Sequence, residues 1–222
     1  LIRAAIFDMD GLLIDSEPFW QEAELEVFGD LGVPITREAC VETRGLRLDE
    51  VVALWSRRYP WQGPSLAEVH GRILEAMASL IRARGGPMPG ALEAIELMRR
   101  RFGPVAIATS SPPMLIEAVL EKLGLGGAFD VVHSAQGEPY GKPHPAVFLS
   151  AARLLDLPPT DCVALEDSLA GVIAAKSARM ACIAVPEEAQ RTDPRFSIAD
   201  RVLPSLVELP RVEWDAIAVA RR

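Results

Sequence analysis

The sequence predicts an α/β protein: a doubly wound parallel sheet with an all-helical cap inserted after its first strand. Three observations carry this. The apolar run Ala4-Ala5-Ile6-Phe7 leads into Asp8-Met9-Asp10-Gly11, the pattern of a strand buried on both faces. From Pro89 onward, short apolar runs alternate with helical ones, as in parallel strands joined by right-handed crossovers. Residues 18–84 between them show helical spacing and no strand signal. A lone strand cannot bury both faces, so the first strand belongs to the later sheet and the helical block is an insertion. The expected division is a core of residues 1–15 and 86–222 and a cap of residues 16–85.

Each element has its own signal. Pro18 opens a helix in which Trp20, Ala23, Val27, Phe28 and Leu31 recur at helical spacing, and Gly32 ends it. A short helix follows from Asp49 to Arg58. The third begins at Ser65, which with Glu68 forms a capping box, carries Leu66, Val69, Ile73, Met77 and Leu80, and stops at Gly85-Gly86-Pro87. In the core, strands are expected at Val105–Thr109, Phe129–Ser134, Cys162–Leu165, Ala181–Val185 and Arg201–Leu203. Helices near 91–101, 113–123, 145–155 and 169–179 separate them. The tail from Arg191 is rich in Pro and charge and offers no periodic signal.

The chain has 222 residues, half of them hydrophobic and 24% charged, as in ordinary globular domains. Its net charge of −8 speaks against nucleic acid or an anionic membrane surface as partner. Uncharged stretches too short to span a bilayer, and an acid by position 8, speak against a membrane segment or a signal peptide. Cys40, Cys162 and Cys182 lack metal spacing, and the last two sit in apolar runs, so buried thiols and a cytoplasmic location are expected. A monomer is expected. His70, His133 and His144 share no metal spacing and read as structural; Trp20, Trp55 and Trp61 read as cap packing, with Trp20 best placed to face a ligand.

The chemistry gathers where strands end. Open α/β sheets form their ligand crevice at the strands' carboxyl ends, and Asp8 and Asp10 stop the first strand there, with Gly11 allowing a tight turn. Thr109-Ser110-Ser111 follows the second strand and precedes Pro112-Pro113; hydroxyls and amides at such a helix start can cradle phosphate, although taken alone they read more readily as N-capping. Lys142 lies in Tyr140-Gly141-Lys142-Pro143-His144-Pro145, stiffened by two prolines. Glu166-Asp167 follows the fourth strand; alone, these acids would only complement a helix dipole, worth about 0.3–1 kcal/mol. Together Asp8, Asp10, Glu166 and Asp167 put four carboxylates in one crevice, a repulsion of several kcal/mol without a cation. An oxygen-only donor set points to Mg²⁺.

In this order and spacing the motifs resemble those of the haloacid dehalogenase superfamily: Asp8-Met9-Asp10-Gly11 the first, Thr109 the second, Lys142 the third and Glu166-Asp167 the fourth. The resemblance implies a Rossmann-like core and a helical cap of the kind shared with β-phosphoglucomutase. It extends through Leu12–Pro18, Trp61–Ser65 and Asp193–Phe196 to that branch of the superfamily acting on hexitol phosphates and 2-deoxyglucose 6-phosphate. It departs at Thr109, where Ser is expected, and across residues 70–86.

The resemblance implies an Mg²⁺-dependent phosphatase for sugar or polyol phosphates. Asp8 would be the nucleophile that becomes an aspartyl-phosphate, and Asp10 the general acid and base. Thr109, Ser110 and Lys142 would hold the phosphate, and Asp8, Asp10 (through its main-chain carbonyl), Glu166 and Asp167 the metal. Two rivals stand beside it. A phosphosugar mutase would keep this core, but the position matching the mutase's catalytic cap-linker His is Trp20. A phosphorylatable or phosphate-binding regulatory domain would need neither Asp10 nor a seventy-residue insert.

Overall fold

The computed structural model describes residues 1–43 and 46–219. Six parallel strands form one sheet in the order β3-β2-β1-β4-β5-β6. They are β1 (Ala4–Phe7), β2 (Val105–Thr109), β3 (Val131–Ser134), β4 (Cys162–Glu166), β5 (Ala181–Ala184) and β6 (Arg201–Val202). After β1 the chain builds outward through β2 and β3, then crosses back to lay β4 on the other flank of β1. This reversal is a switch point, which opens a crevice above β1 and β4.

Every residue of β1, β2, β4 and β5 is buried, which explains why these strands read as unbroken apolar runs. Alternation sorts their side chains onto two faces. Ala5, Phe7, Ile107, Val163 and Leu165 join one core with α5 (Ala91–Phe102) and α6 (Pro113–Leu123). Ala4, Ile6, Ala106, Ala108 and Ala164 join the other with α7 (Ala146–Leu154) and α8 (Leu169–Ser177). The second face is dominated by alanine, which lets its helices approach the sheet closely.

The insert contains α1 (Glu17–Asp30), α2 (Arg37–Val41), α3 (Leu48–Arg58) and α4 (Leu66–Arg84). The capping box forms as expected: the Ser65 amide donates to Glu68 Oε2 at 2.8 Å and the Glu68 amide to Ser65 Oγ at 3.3 Å, worth about 1 kcal/mol. Trp55 is buried and stacks on Tyr59 with centroids 6.1 Å apart. Helix α4 packs on α6 of the core, and Lys122 Nζ donates to the Arg82 carbonyl at 2.8 Å.

Three local features differ from the sequence expectation. Strand β3 starts at Val131, not Phe129: the Phe129 ring packs edge-on against Phe7, 6.2 Å away, and Asp130 turns to accept the Val105 amide at 2.9 Å. Helix α2, only five residues long, is too short for periodicity to reveal; Thr36 caps it by accepting the Ala39 amide. The tail forms 3₁₀ turns and α9 (Trp214–Val219), with Trp214 packed on Phe102 at 5.0 Å. All three cysteines are free and buried. Among the described residues no helix is long and apolar enough to cross a membrane.

Candidate active site

The register of the sheet delivers the acids. Phe7 pairs with Leu165, so Asp8 and Glu166, one residue further along adjacent strands, emerge side by side, and the Asp8 amide donates to the Leu165 carbonyl at 2.9 Å. The carboxylates of Asp8, Glu166 and Asp167 offer oxygens within 4.8 Å of one another, the only such group of acids, histidines or cysteines among the described residues. The Asp10 side chain is not in that group. Glycines make the crowding possible. A Cβ on Gly11, whose φ is +76°, would fall 2.2 Å from Asp167 Oδ2, and one on Gly171 would fall 1.7 Å from Glu166 Oε1.

Lys142 reaches across from its proline-flanked loop. Its Nζ lies 2.6 Å from Asp8 Oδ1 and 2.5 Å from Glu166 Oε1, and it is 3% exposed, which excludes a solvating role. Burial opposes the ammonium charge, but Asp8 and Glu166 outweigh it and hold the Lys142 pKa above its usual value. Burial pushes Asp8 up to about 7; Lys142 pulls the other way, and Glu166 and Asp10 add to the rise. Glu166 is spent within the protein: Oε1 takes Lys142, and Oε2 takes both the amide and the hydroxyl of Ser168 at 3.0 Å.

Asp10 faces a different set of donors. Ser111 Oγ donates to its Oδ2 at 2.6 Å, Ser16 Oγ to its Oδ1 at 2.7 Å, and the Trp20 indole N–H to Oδ1 at 3.3 Å. The two acids of Asp-x-Asp, alike in sequence, therefore differ in surroundings: Asp8 beside an ammonium, Asp10 among neutral donors. Thr109 is buried at the end of β2, and its Oγ1 accepts the Ser111 amide at 3.1 Å.

Asp8, Asp10, Thr109, Ser110, Lys142 and Asp167 all open onto one cleft, whose empty space is about 760 Å³ with its open mouth included. Its far wall is cap: Glu17, Trp20, Gln21 and Glu24 of α1, with Cys40 and Thr43. Sequence reasoning missed Ser111 as a partner of Asp10, and Glu24 and Thr43 as lining groups. The signal for Glu24 was present: positions 17, 20, 21 and 24 form one helical stripe. Arg47 of the cap donates to the Glu138 carbonyl at 2.8 Å and pairs with Asp49, tying cap to core.

Comparison with known proteins identifies the family. The profile of the haloacid dehalogenase-like hydrolase family matches residues 2–179. Hexitol phosphatase B of Escherichia coli K12 is 49% identical over 209 residues, 94% of each chain. A phosphorylated carbohydrates phosphatase of Thermotoga maritima is 32% identical over 80% of this chain and 82% of its own. The crystal structure of CbbY from Rhodobacter sphaeroides in complex with phosphate superposes with a TM-score of 0.85 at 32% identity, over 94% of this chain and 96% of that one. With the family profile spanning both ends of the cap and most of the core, the chain belongs to the haloacid dehalogenase-like hydrolases, and it is a phosphatase.

Proposed function

We propose that this phosphatase hydrolyses hexose 6-phosphates and hexitol phosphates, 2-deoxyglucose 6-phosphate among them, with Asp8 as nucleophile. The observation that carries this is the division of labour at the strand tip: Lys142 grips Asp8 while a separate set of donors holds Asp10. Lys142 fixes the Asp8 rotamer, so that its carboxylate attacks phosphorus in line, a P–O bond to Asp8 forms and the ester P–O bond breaks. Asp10 gives its proton to the departing alkoxide, then takes one from the water that cleaves the aspartyl-phosphate. The Thr109 hydroxyl, the Ser110 amide and Lys142 stabilise charge on the phosphoryl oxygens.

The donor set suits a hard divalent cation. At 4.8 Å or less and an effective dielectric of about 20, each carboxylate pair would repel by roughly 3 kcal/mol or more, and one ammonium cannot offset three acids. Asp8, Asp167 and the Asp10 main-chain carbonyl would hold Mg²⁺, with Glu166, both of whose oxygens are engaged, orienting from behind. Bound there, the ion would keep Asp8 ionised and screen charge on the phosphoryl group.

Residues 16–85 act as the cap in this reading and the rest as the catalytic core, the cap excluding water and shaping the sugar pocket. The substrate class draws on the activities for which the relatives are named and on a cap wall that mixes Trp20 with hydrogen-bonding groups. A mutase is disfavoured because Trp20, standing where the resemblance places its base, presents an N–H donor to Asp10 and has no proton acceptor to offer. The test is phosphate release from a panel of sugar phosphates, nucleoside monophosphates and a phosphopeptide, with and without Mg²⁺. Highest efficiency on a nucleotide or phosphopeptide would overturn the substrate class. Conversion of a hexose 1-phosphate to its 6-phosphate without phosphate release would overturn hydrolysis.

A further inference from the structure

One acid of the cap serves neither the proposed chemistry nor the packing. Glu24 sits in α1 at 6% exposure, yet lines the cleft. The thiol of Cys40, also on the cleft wall, lies beside its carboxyl group. Its Oε2 is buried and meets no hydrogen-bond partner among the described residues. A buried carboxyl with an empty acceptor is costly, and an apolar side chain would fill the same helical position at no such cost. Its placement suggests what compensates. Glu24 lies one turn beyond Trp20, about 6 Å along the helix, while the Trp20 indole touches Asp10. The stripe Glu17, Trp20, Gln21, Glu24 therefore leads from the reacting end of the cleft towards its cap end, and Thr43 adds a hydroxyl to that wall.

Resting on the sugar-phosphate reading above, we propose that Glu24 is a specificity-determining residue: its carboxyl receives the hydroxyl groups of the substrate's carbon chain at the end away from the phosphate. The Cys40 thiol neighbours the carboxyl, and Oε2 is left for the substrate. Burial pushes Glu24 up to about 7, so near neutral pH the group both accepts from a hydroxyl and, when protonated, donates to one. An ester without distal hydroxyls leaves this acceptor unsatisfied and is selected against.

The test compares kcat/KM for sorbitol 6-phosphate with that for p-nitrophenyl phosphate, which shares the phosphoryl group and has no hydroxyls. In Glu24→Gln and Glu24→Leu the ratio of the two should fall at least about tenfold, mainly through KM for sorbitol 6-phosphate, with Leu worse than Gln. Inorganic phosphate, a competitive inhibitor of the core alone, should report the same inhibition constant in all three proteins. A preference that persists in both variants overturns the role of Glu24. So does an equal fall on both esters, which would mark a structural effect. A wild-type protein with no preference for sorbitol 6-phosphate overturns the substrate reading itself, and the two failures are thus told apart before any variant is made.

Discussion

Replacing Glu24 by Gln should make the protein more stable, and by an amount that grows with pH. The carboxyl is buried, and its pKa rises from the usual 4.5 to about 7 because burial disfavours the charge; the Cys40 thiol works against the rise and Glu17 adds to it. Below about pH 4.5 folded and unfolded chains both carry the neutral acid, and its contribution to stability is fully present. Between 4.5 and 7 the unfolded chain ionises while the folded one does not, so stability falls as pH rises, by up to about 1.4 kcal/mol per pH unit. Integrated to pH 8 the loss is roughly 3 kcal/mol. Gln has the same shape and no titration, so it escapes this loss. For a chain of this size that amounts to a Tm advantage of about 6–12 °C at pH 8, shrinking towards zero near pH 5. Thermal melts of both proteins at half-unit steps from pH 5 to 8 measure it. Asp8 titrates in the same window but in both proteins, and so cancels in the difference. A Tm difference that is flat across the range, or that shrinks as pH rises, would refute the reasoning.

Asp8→Asn should fold, since it removes a charge from a crowded site, yet release no phosphate and form no hydroxylamine-labile phosphoenzyme in acid-quench experiments; substantial turnover would sink the covalent scheme. Chelation by EDTA should silence the enzyme and Mg²⁺ restore it, whereas Ca²⁺ should bind, by calorimetry, without restoring turnover because its larger coordination shell alters the approach of Asp8. Gly171→Ala is compatible with a helical backbone but sets a methyl group 1.7 Å from Glu166 Oε1. It should cost about 1–3 kcal/mol in urea titrations and lower activity by displacing a partner of Lys142.

The sheet was legible because strands buried on both faces must be apolar throughout, and four of the six are. The site's acids were legible for a related reason: charge has no stabilising role at the tip of such a strand, so each acid there stood out. What was illegible lay where one residue type serves two ends. Phe129 looks like strand and is core packing beside it. Ser111 looks like helix capping and instead donates to Asp10. Arg47 carries no signal in the pattern and is consumed by a carbonyl of the core. Pattern marks which side chains leave solvent; it does not say which neighbour, distant in sequence, each one meets.

Helix α1 shows how specificity and stability are set against each other on one element. Phe19, Ala23 and Val27, spaced four apart, turn into the hydrophobic core, while Glu17, Trp20, Gln21 and Glu24 turn into the cleft. Two adjacent stripes are thus withdrawn from bulk solvent, one apolar and one polar, which is why the helix reads from its apolar residues alone and its acid passes unnoticed. The apolar stripe can only hold the helix in place. Trp20 packs against that core as well, but Gln21 and Glu24 add no apolar contact to it, and Glu24 even subtracts from stability above pH 4.5. A side chain that destabilises the fold, points into the cleft and has an open acceptor is where a shared phosphatase core acquires a preference among esters. The same replacement that raises Tm at pH 8 should therefore weaken the preference for a polyol, and a Glu24→Gln protein that gains stability while keeping that preference in full would separate the two effects and leave the carboxyl without a purpose in the cleft.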